Sequence, residues 1–367
     1  MGEVVENVGT GRSTFTTGVE QSSETPHAVL GSTSVISYDR EFDHNGEFVL
    51  TARVGANAGN LYKHSGKVKI SDNTVYIQAD DLDFIYYLLI KYNLKQLSFG
   101  TGQPLVKASE LKNLKLKFPK NKEEQKEIGG FLKKIDETIT LHQRKLDLLK
   151  QLKKAYLQKM FPKNGETVPE LRFVNFENEW RLRKLEDISD KVIEKNKDNE
   201  FLETLTNSAE YGIINQREFF DKDISNEKNL YGYYIVREDD FVYNPRVSNY
   251  APVGPIKRNK LGRVGVMSPL YYVFRLHDID KTFLEYYFDT TEWHKFMKLN
   301  GDSGARADRF AIKDSIFKTM PIPYPSIKEQ KVIGSFFMHF DSTITHYQTK
   351  LDQLKKIKSA FLQKMFI

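Results

Sequence analysis

The chain contains no cysteine. That excludes a disulfide scaffold, thiolate metal sites and cysteine nucleophiles, and it suits a reducing cytoplasm, the expected location. No apolar run is longer than FIYYLLI (84–90), far short of the ~20 residues a membrane span needs. The opening residues MGEVVENVGTGRS lack a basic stretch followed by an apolar one, so no signal peptide is expected. Tryptophan is scarce, at 2, but there are 25 Phe and 19 Tyr. Rings pack cores well, and at a surface they stack on bases or fill partner pockets. An acidic excess is also missing: the net charge is +6 and the pI about 9.0. That balance is compatible with a nucleic-acid partner without requiring one. At 367 residues the chain is too long for one ordinary core and suits two domains with a connector.

What the sequence does have is repetition. AYLQKMF (155–161) returns as AFLQKMF (360–366). The match extends backwards without a gap, EEQKEIGGFLKKIDETITLHQRKLDLLKQLKKAYLQKMF (123–161) over KEQKVIGSFFMHFDSTITHYQTKLDQLKKIKSAFLQKMF (328–366), with 23 of 39 positions identical. Shared helical composition alone does not produce that. Each copy reads as one long helix with a heptad seam. In the first, Ile128, Ile135, His142, Leu149 and Tyr156 alternate with Leu132, Ile139, Leu146, Lys153 and Met160. In the second, Ile333, Phe340, Tyr347, Leu354 and Phe361 alternate with Phe337, Ile344, Leu351, Lys358 and Met365. Even the out-of-place lysine recurs, as Lys153 and Lys358. About 38 residues at ~1.5 Å each make a rod of roughly 57 Å. The simplest partner for each seam is its own copy, because about 165 residues separate them, enough to fold a domain and bring the chain back. A homodimeric zipper or a plain helical hairpin is the alternative.

The globular parts repeat more faintly. GEFVLTARVGANAG (46–59) resembles DDFVYNPRVSNYAPVG (239–254). NTVYIQADDLDFIYYLL (73–89) resembles LYYVFRLHDIDKTFLEYYF (270–288): a strand, a charged turn, an aromatic helix. FGTGQPLVKASELKNLKLKFP (99–119) resembles DSGARADRFAIKDSIFKTMPIPYP (302–325): a Gly-rich loop, a short helix, a strand, then proline. The expected plan is therefore a globular domain at 1–120, a helix at 121–162, a linker at 163–179, a second domain at 180–324 and a second helix at 325–367. The linker, FPKNGETVPELRFVNFENEW (161–180), carries the Pro, Gly and Asn of extended loop. MGEVVENVGT aligns with LEDISDKV (185–192), so the first half has no counterpart of NEWRLRK.

Catalytic signatures are missing. YNPRV (243–247) has Arg246 where an adenine methyltransferase needs a second proline. GTGR (9–12) and GTGQ (100–103) are not phosphate-binding loops of the G-x-x-x-x-G-K-[ST] type. Glu110-Leu111-Lys112 supplies only the short part of a metal-nuclease motif. The eight histidines include no i, i+4 pair, so no metal is expected.

The order of parts resembles the DNA-specificity subunit of a type I restriction–modification enzyme. The features that carry this are the EEQKEIG/KEQKVIG and LQKMF ends of the paired helices and the linker GETVPELRF…NEWRLRKLEDI. They also include YGIINQREFFDKDI, DDFVYNPRVS, SPLYYVFRL and SGARADR of the second half. The resemblance implies an α+β fold of two similar target-recognition domains separated by two long antiparallel helices. It implies a non-catalytic chain in a cytoplasmic bacterial defence system that binds a bipartite sequence in double-stranded DNA. Two methyltransferase subunits are the implied partners, with motor-nuclease subunits in the full complex. S-adenosylmethionine, ATP and Mg are then expected on those partners only. A self-contained DNA-modifying enzyme and a coiled-coil adaptor that binds no DNA are the rival readings.

Base readout needs polar and basic side chains on rigid loops. The candidates are Arg12, Arg53, Asn57, Lys63 and Gln103 in the first domain. In the second they are Arg246, Asn249, Tyr250, Arg306 and Arg309. Arg53 and Arg246 hold equivalent positions, which points equally to a structural role such as a salt bridge. Asn57 against Tyr250 and Gln103 against Arg306 differ between domains, as base-reading residues should. For helix pairing and partner docking the candidates are Ile128, Ile135, Ile139, Leu146, Leu149, Ile333, Phe340, Ile344, Leu351 and Leu354. KLDLLKQLKK (145–154) reads as a solvated face, or else it lines DNA or an acidic partner.

Overall fold

The computed structural model describes residues 1–98, 104–163, 165–220, 230–302 and 308–366. It divides into two compact units, Met1–Lys145 with Tyr347–Ile367, and Leu146–His346.

Unit 1 is built on a six-stranded sheet. Its strands are β1 (Asn7–Thr10), β2 (His27–Leu30), β3 (Val35–Asp39), β4 (His44–Ala52), β5 (Leu61–Ile70) and β6 (Thr74–Gln78), in the order β1-β6-β4-β5-β2-β3. All pairs are antiparallel except β2 with β5. Helix α1 (Leu82–Tyr92) follows β6 and lays Phe84, Ile85, Leu88 and Leu89 against Val49, Val75 and Ile77 of the sheet. That i, i+1, i+4, i+5 spacing is the apolar stripe of a helix seated on a sheet. Asn93 ends α1 in the left-handed conformation (φ 60°), and its N–H closes on the carbonyls of Leu89 and Ile90. Short α2 (Ala108–Lys112) comes next. Then α3 (Lys122–Lys159) begins in unit 1 and ends in unit 2.

In unit 2 the linker leads to β7 (Arg181–Lys184), β8 (Ser189–Lys191), β9 (Leu205–Ser208), β10 (Gly212–Asn215) and α4 (Gln216–Phe220). Strands β11 (Tyr234–Val236), β12 (Phe241–Tyr243), β13 (Ile256–Arg258), β14 (Gly265–Met267) and β15 (Tyr272–Leu276) follow. The largest sheet runs β13-β12-β15-β8. Then come α5 (Lys281–Phe288), α6 (His294–Asn300), α7 (Asp314–Phe317), β16 (Pro321–Tyr324) and α8 (Ile327–Met365). Asp280 caps α5, accepting from the N–H groups of Thr282 and Phe283. The core is ring-rich, with Trp180, Phe241, Phe274, Phe283, Phe288, Trp293, Phe317 and Phe337 buried together.

The two proposed long helices exist, and each unit contains a stretch of both. In unit 1, Phe131 faces Phe361 and His142 faces Tyr347. In unit 2, Tyr156 packs on Phe336 and Phe340. Numbers rise along one helix as they fall along the other, which makes the pairing antiparallel. Ile128, Leu132, Leu146, Met160, Ile333, Phe337 and Leu351 are buried, while Ile135, Ile139, Leu149, Phe340, Ile344 and Leu354 are half-buried. His142 is a seam residue against Tyr347, as its register predicts.

The repeated LQKMF ends also have a structural reason. Phe161, where α3 has just ended, is buried in the core of unit 2, its ring 5.3 Å from that of Phe283 on α5. Phe366, at the equivalent position after α8, is buried in the core of unit 1, its ring 5.3 Å from that of Phe84 on α1. Each long helix therefore starts in one globular core and terminates in the other. The shared Ile-Gly at the helix starts is a close approach. A Cβ on Gly129 would sit 2.6 Å from the backbone nitrogen of Phe84. Gly334 occupies the same place against Thr282.

The strand expected ahead of each proline forms only in unit 2, where β16 pairs with β7. In unit 1, residues 115–118 belong to no strand. Among the described residues no segment pairs with them, and a strand needs a partner for its backbone groups.

Candidate nucleic-acid interface

In unit 2 two loops converge. Arg246 and Arg309 form an isolated antiparallel bridge: Val247 N–H donates to Asp308 O at 3.0 Å and Phe310 N–H to Pro245 O at 2.8 Å. Ser248 and Ala251 exchange backbone hydrogen bonds at 3.1 Å, a turn that puts Asn249 and Tyr250 at its tip. Both are exposed, Tyr250 at 78%. The turn is anchored by Gly254 (φ 84°), where a Cβ would come 2.1 Å from Asn244 O, so only glycine fits. Arg246 is exposed and Arg309 half-buried. Among the described residues Arg246 pairs with no carboxylate, so the salt-bridge role weighed for it has no partner there. The fold thus gathers four candidates, Arg246, Asn249, Tyr250 and Arg309, from two loops about 60 residues apart in sequence. Arg306 lies outside the described residues.

This loop pair borders two clefts. One, of about 580 Å³, is lined by Arg246, Ser248, Tyr250, Asn207, Ser208 and Gln216 among others. The other, of about 840 Å³, includes Arg309, Lys313 and Lys191. Lys191 is already ion-paired with Asp314. Asn207 is 2% exposed. Its amide nitrogen donates to Val242 O (2.7 Å) and Pro255 O (3.2 Å), while its Oδ1 has no hydrogen-bond partner among the described residues. An exposed tyrosine beside an arginine, with side-chain amides and hydroxyls below, offers a ring to stack on a base and donors for base edges or phosphate. The sequence does not reveal Asn207, Ser208 or Gln216, because strand β9 and α4 carry no loop signal and meet the Arg246 loop only in the fold.

In unit 1, β1 and β4 flank β6, with Thr10 opposite Val75 and Ala52 opposite Thr74. Arg12 and Arg53 therefore emerge at the same end of the sheet, on either side of the β5–β6 turn. Both are exposed. Arg53 Nη1 reaches Asp72 O at 3.4 Å, and its backbone pairs with the segment after Gln103, Val106 N–H donating to Arg53 O at 2.8 Å. Arg53 likewise has no carboxylate partner among the described residues. Asn57 is exposed and accepts from Asn60 Nδ2 at 3.2 Å. Gln103 lies outside the described residues. Lys63 is placed differently from the others. Its ammonium is 2.5 Å from Asp83 Oδ1 of α1 and 4.7 Å from the ring centre of Tyr86. Lys133 of α3 meets the same carboxylate at 3.1 Å. Burial pushes the Asp83 carboxyl up, but the two lysines together hold it below the usual range. Lys63 is thus committed to fastening α1.

On the helices, Lys150 and Lys154 are exposed, Lys145 lies over the Tyr347 ring, and Lys153 turns into the seam. In the linker, the buried Glu329 of α8 accepts two bonds from Arg172 (2.7 and 2.9 Å) and one from Trp180 Nε1 (3.2 Å). Its counterpart Glu124 on α3 is exposed. Among the described residues, no group of three or more His, Asp or Glu is placed to hold a metal ion, and no helix is long and apolar enough to cross a membrane.

Comparison with known proteins agrees with this architecture. Over 342 residues the chain is 24% identical to the type I restriction enzyme MjaVIII specificity subunit of Methanocaldococcus jannaschii, covering 88% of this chain and 79% of that protein. Over 114 residues it is 30% identical to the type I restriction enzyme EcoprrI specificity subunit of Escherichia coli, 30% of this chain and 28% of that one. The crystal structure of the S subunit of a type I restriction–modification system from M. genitalium superposes with a TM-score of 0.61 at 16% identity, covering 100% of this chain and 94% of that one, which is a likeness of fold. The family model for the type I restriction modification DNA specificity domain matches twice, over residues 6–151 and 177–356. Those two matches take in most of the chain, one in each half of the repeat, and the protein therefore belongs to the type I restriction–modification DNA specificity family.

Proposed function

We propose that this chain reads a DNA sequence in two parts, one with each globular domain, and thereby directs adenine methylation and restriction by partner subunits. Family membership makes it a non-catalytic DNA-recognition subunit that assembles with other subunits. The single observation behind the bipartite reading is the duplication. Two recognition folds carry loops at equivalent positions, one with Arg53 and one with Arg246, while the residues around them differ (Asn57 in one, Asn249 and Tyr250 in the other). Like scaffolds with unlike loops suit two different half-sites. The equivalent helix ends make two similar docking surfaces, which suits two copies of one methyltransferase per chain, with a motor-nuclease joining in the full complex. Residues 1–120 and 180–324 are the proposed recognition domains.

Mapping methylated adenines in cells carrying the chain with its partner tests the first part. Two short constant motifs separated by a gap of fixed length are expected, and a single uninterrupted motif refutes it. Native mass measurement of the reconstituted complex tests the second. Two methyltransferase chains per specificity chain are expected, and a stable one-to-one complex at saturating partner refutes that count.

A further inference from the structure

Lys153 and Lys358 stand at equivalent seam positions where leucine would be ordinary. In unit 2, Lys153 Nζ is 2.5 Å from Asp341 Oδ1 of α8 and 5.1 Å from the ring centre of Tyr286 on α5. The Tyr286 hydroxyl donates to the other carboxylate oxygen of Asp341 at 2.7 Å. Unit 1 contains the same three groups in the same arrangement. Lys358 Nζ is 2.6 Å from Asp136 Oδ1 and 5.4 Å from the Tyr87 ring centre, and the Tyr87 hydroxyl donates to Asp136 Oδ2 at 2.8 Å. Each cluster ties three elements at one point: the two long helices and the aromatic helix of the globular part. The lysine is supplied by the helix arriving from the other half of the repeat. The carboxylate is supplied by the helix leaving this one.

An apolar seam resists rotation and sliding only weakly, since one methyl packs much like another. A half-buried ion pair in the seam is met in one register only. Lys153 and Lys358 are 19% and 22% exposed, sheltered enough for that to matter. Burial and the neighbouring carboxylates hold both tyrosine hydroxyls well above the usual phenol range, so both remain donors.

We infer that the two Lys–Asp–Tyr clusters are positioning keys: each fixes the axial and angular placement of a recognition domain on the helix pair, and so the length of spacer between half-sites that the chain accepts. The inference rests on the bipartite reading above. It concerns residues of the helix seam and of α1 and α5, not of the recognition loops.

Two measurements on the full chain test it. The first is affinity for duplexes carrying both half-sites, identified by methylation mapping, with the natural spacer or one base pair more or less. One base pair turns a half-site about a tenth of a helical turn, so the wild-type chain should lose about tenfold or more. Lys153→Met and Tyr286→Phe should shrink that ratio to within about threefold. Lys153→Arg, which still pairs with Asp341 and lies over the ring, should retain it. A folded Lys153→Met chain that discriminates spacers like wild type overturns the inference. The second measurement uses no DNA. Because the chain has no cysteine, the pair Phe131→Cys/Phe361→Cys under a fixed concentration of added oxidant reports register directly; the parent rings are 4.9 Å apart, on the same helices as Asp136 and Lys358. Adding Lys358→Met should slow disulfide formation about fivefold, since bridging needs Cα atoms within ~7 Å. An unchanged rate overturns the key in unit 1. A wild-type chain that ignores spacer length refutes the bipartite reading, and the cross-linking rate still decides the keys.

Discussion

Replacing Phe161 with alanine should loosen unit 2. The ring is 1% exposed and lies within 5.3–6.3 Å of the rings of Phe283, Tyr287, Phe337 and Trp180. A buried phenylalanine hides ~150–250 Å² of mostly apolar surface, worth ~4–6 kcal/mol at ~25 cal/mol/Å². Residual burial in the unfolded chain reduces that, and the cavity left behind adds to it, so the net cost is about 4 kcal/mol. For a unit of this size each kcal/mol moves the melting temperature by ~2–4 °C, so a fall of about 8–16 °C is expected. Calorimetry of the full chain measures it, and amide exchange locates it. Protection should drop in α5 and in the first turns of α8, where Ile333 and Phe337 share the cluster. Phe366→Ala should do the same to unit 1 at a smaller cost, about 3 kcal/mol, because Phe366 is 9% exposed and Phe84 is its close ring neighbour. A Phe161→Ala chain that melts within about 3 °C of wild type would refute the view that each helix end is a core residue of the opposite globular part.

Glu329→Ala should destabilise unit 2 by ~3 kcal/mol by leaving the part-buried Arg172 guanidinium unpaired, whereas Glu124→Ala at the exposed equivalent position should stay within ~0.5 kcal/mol; denaturant titration of both decides it. Arg246→Ala should weaken binding at one half-site only, by ~1–3 kcal/mol if the side chain meets a base edge. Equal loss on all sequences, with a salt slope shallower by about one unit, would make it a phosphate contact instead. His294 is held neutral by burial, its pKa lowered to about 4. The unfolded chain binds that proton below about pH 6.5 and the folded chain only near 4, so stability should fall as pH drops through that window. His294→Gln should flatten the pH dependence of the melt there, and an unchanged slope refutes the assignment.

Much of this protein was legible in one dimension. The long helices follow from a heptad pattern free of proline, because periodicity is local; the repeat, identical at 23 of 39 positions, made pairing of the two copies the simplest reading and left a homodimeric zipper as the alternative. The strand–turn–helix order around FIYYLL and FLEYYF followed for the same reason. The role of single polar residues was not legible. Lys63 reads like Arg53 in sequence, yet Lys63 is held by the Asp83 carboxylate while Arg53 is exposed and reaches the Asp72 carbonyl. Lys153 and Lys358 were visible only as misfits, since their partners lie about 190 and 220 residues away. Asn207 gave no signal at all until the fold set it under the Arg246 loop. Which face a helix buries is set by spacing along the chain and survives in the sequence. Which charge meets which, and which loops share a cleft, depends on contacts between distant segments, and only the tertiary structure decides those.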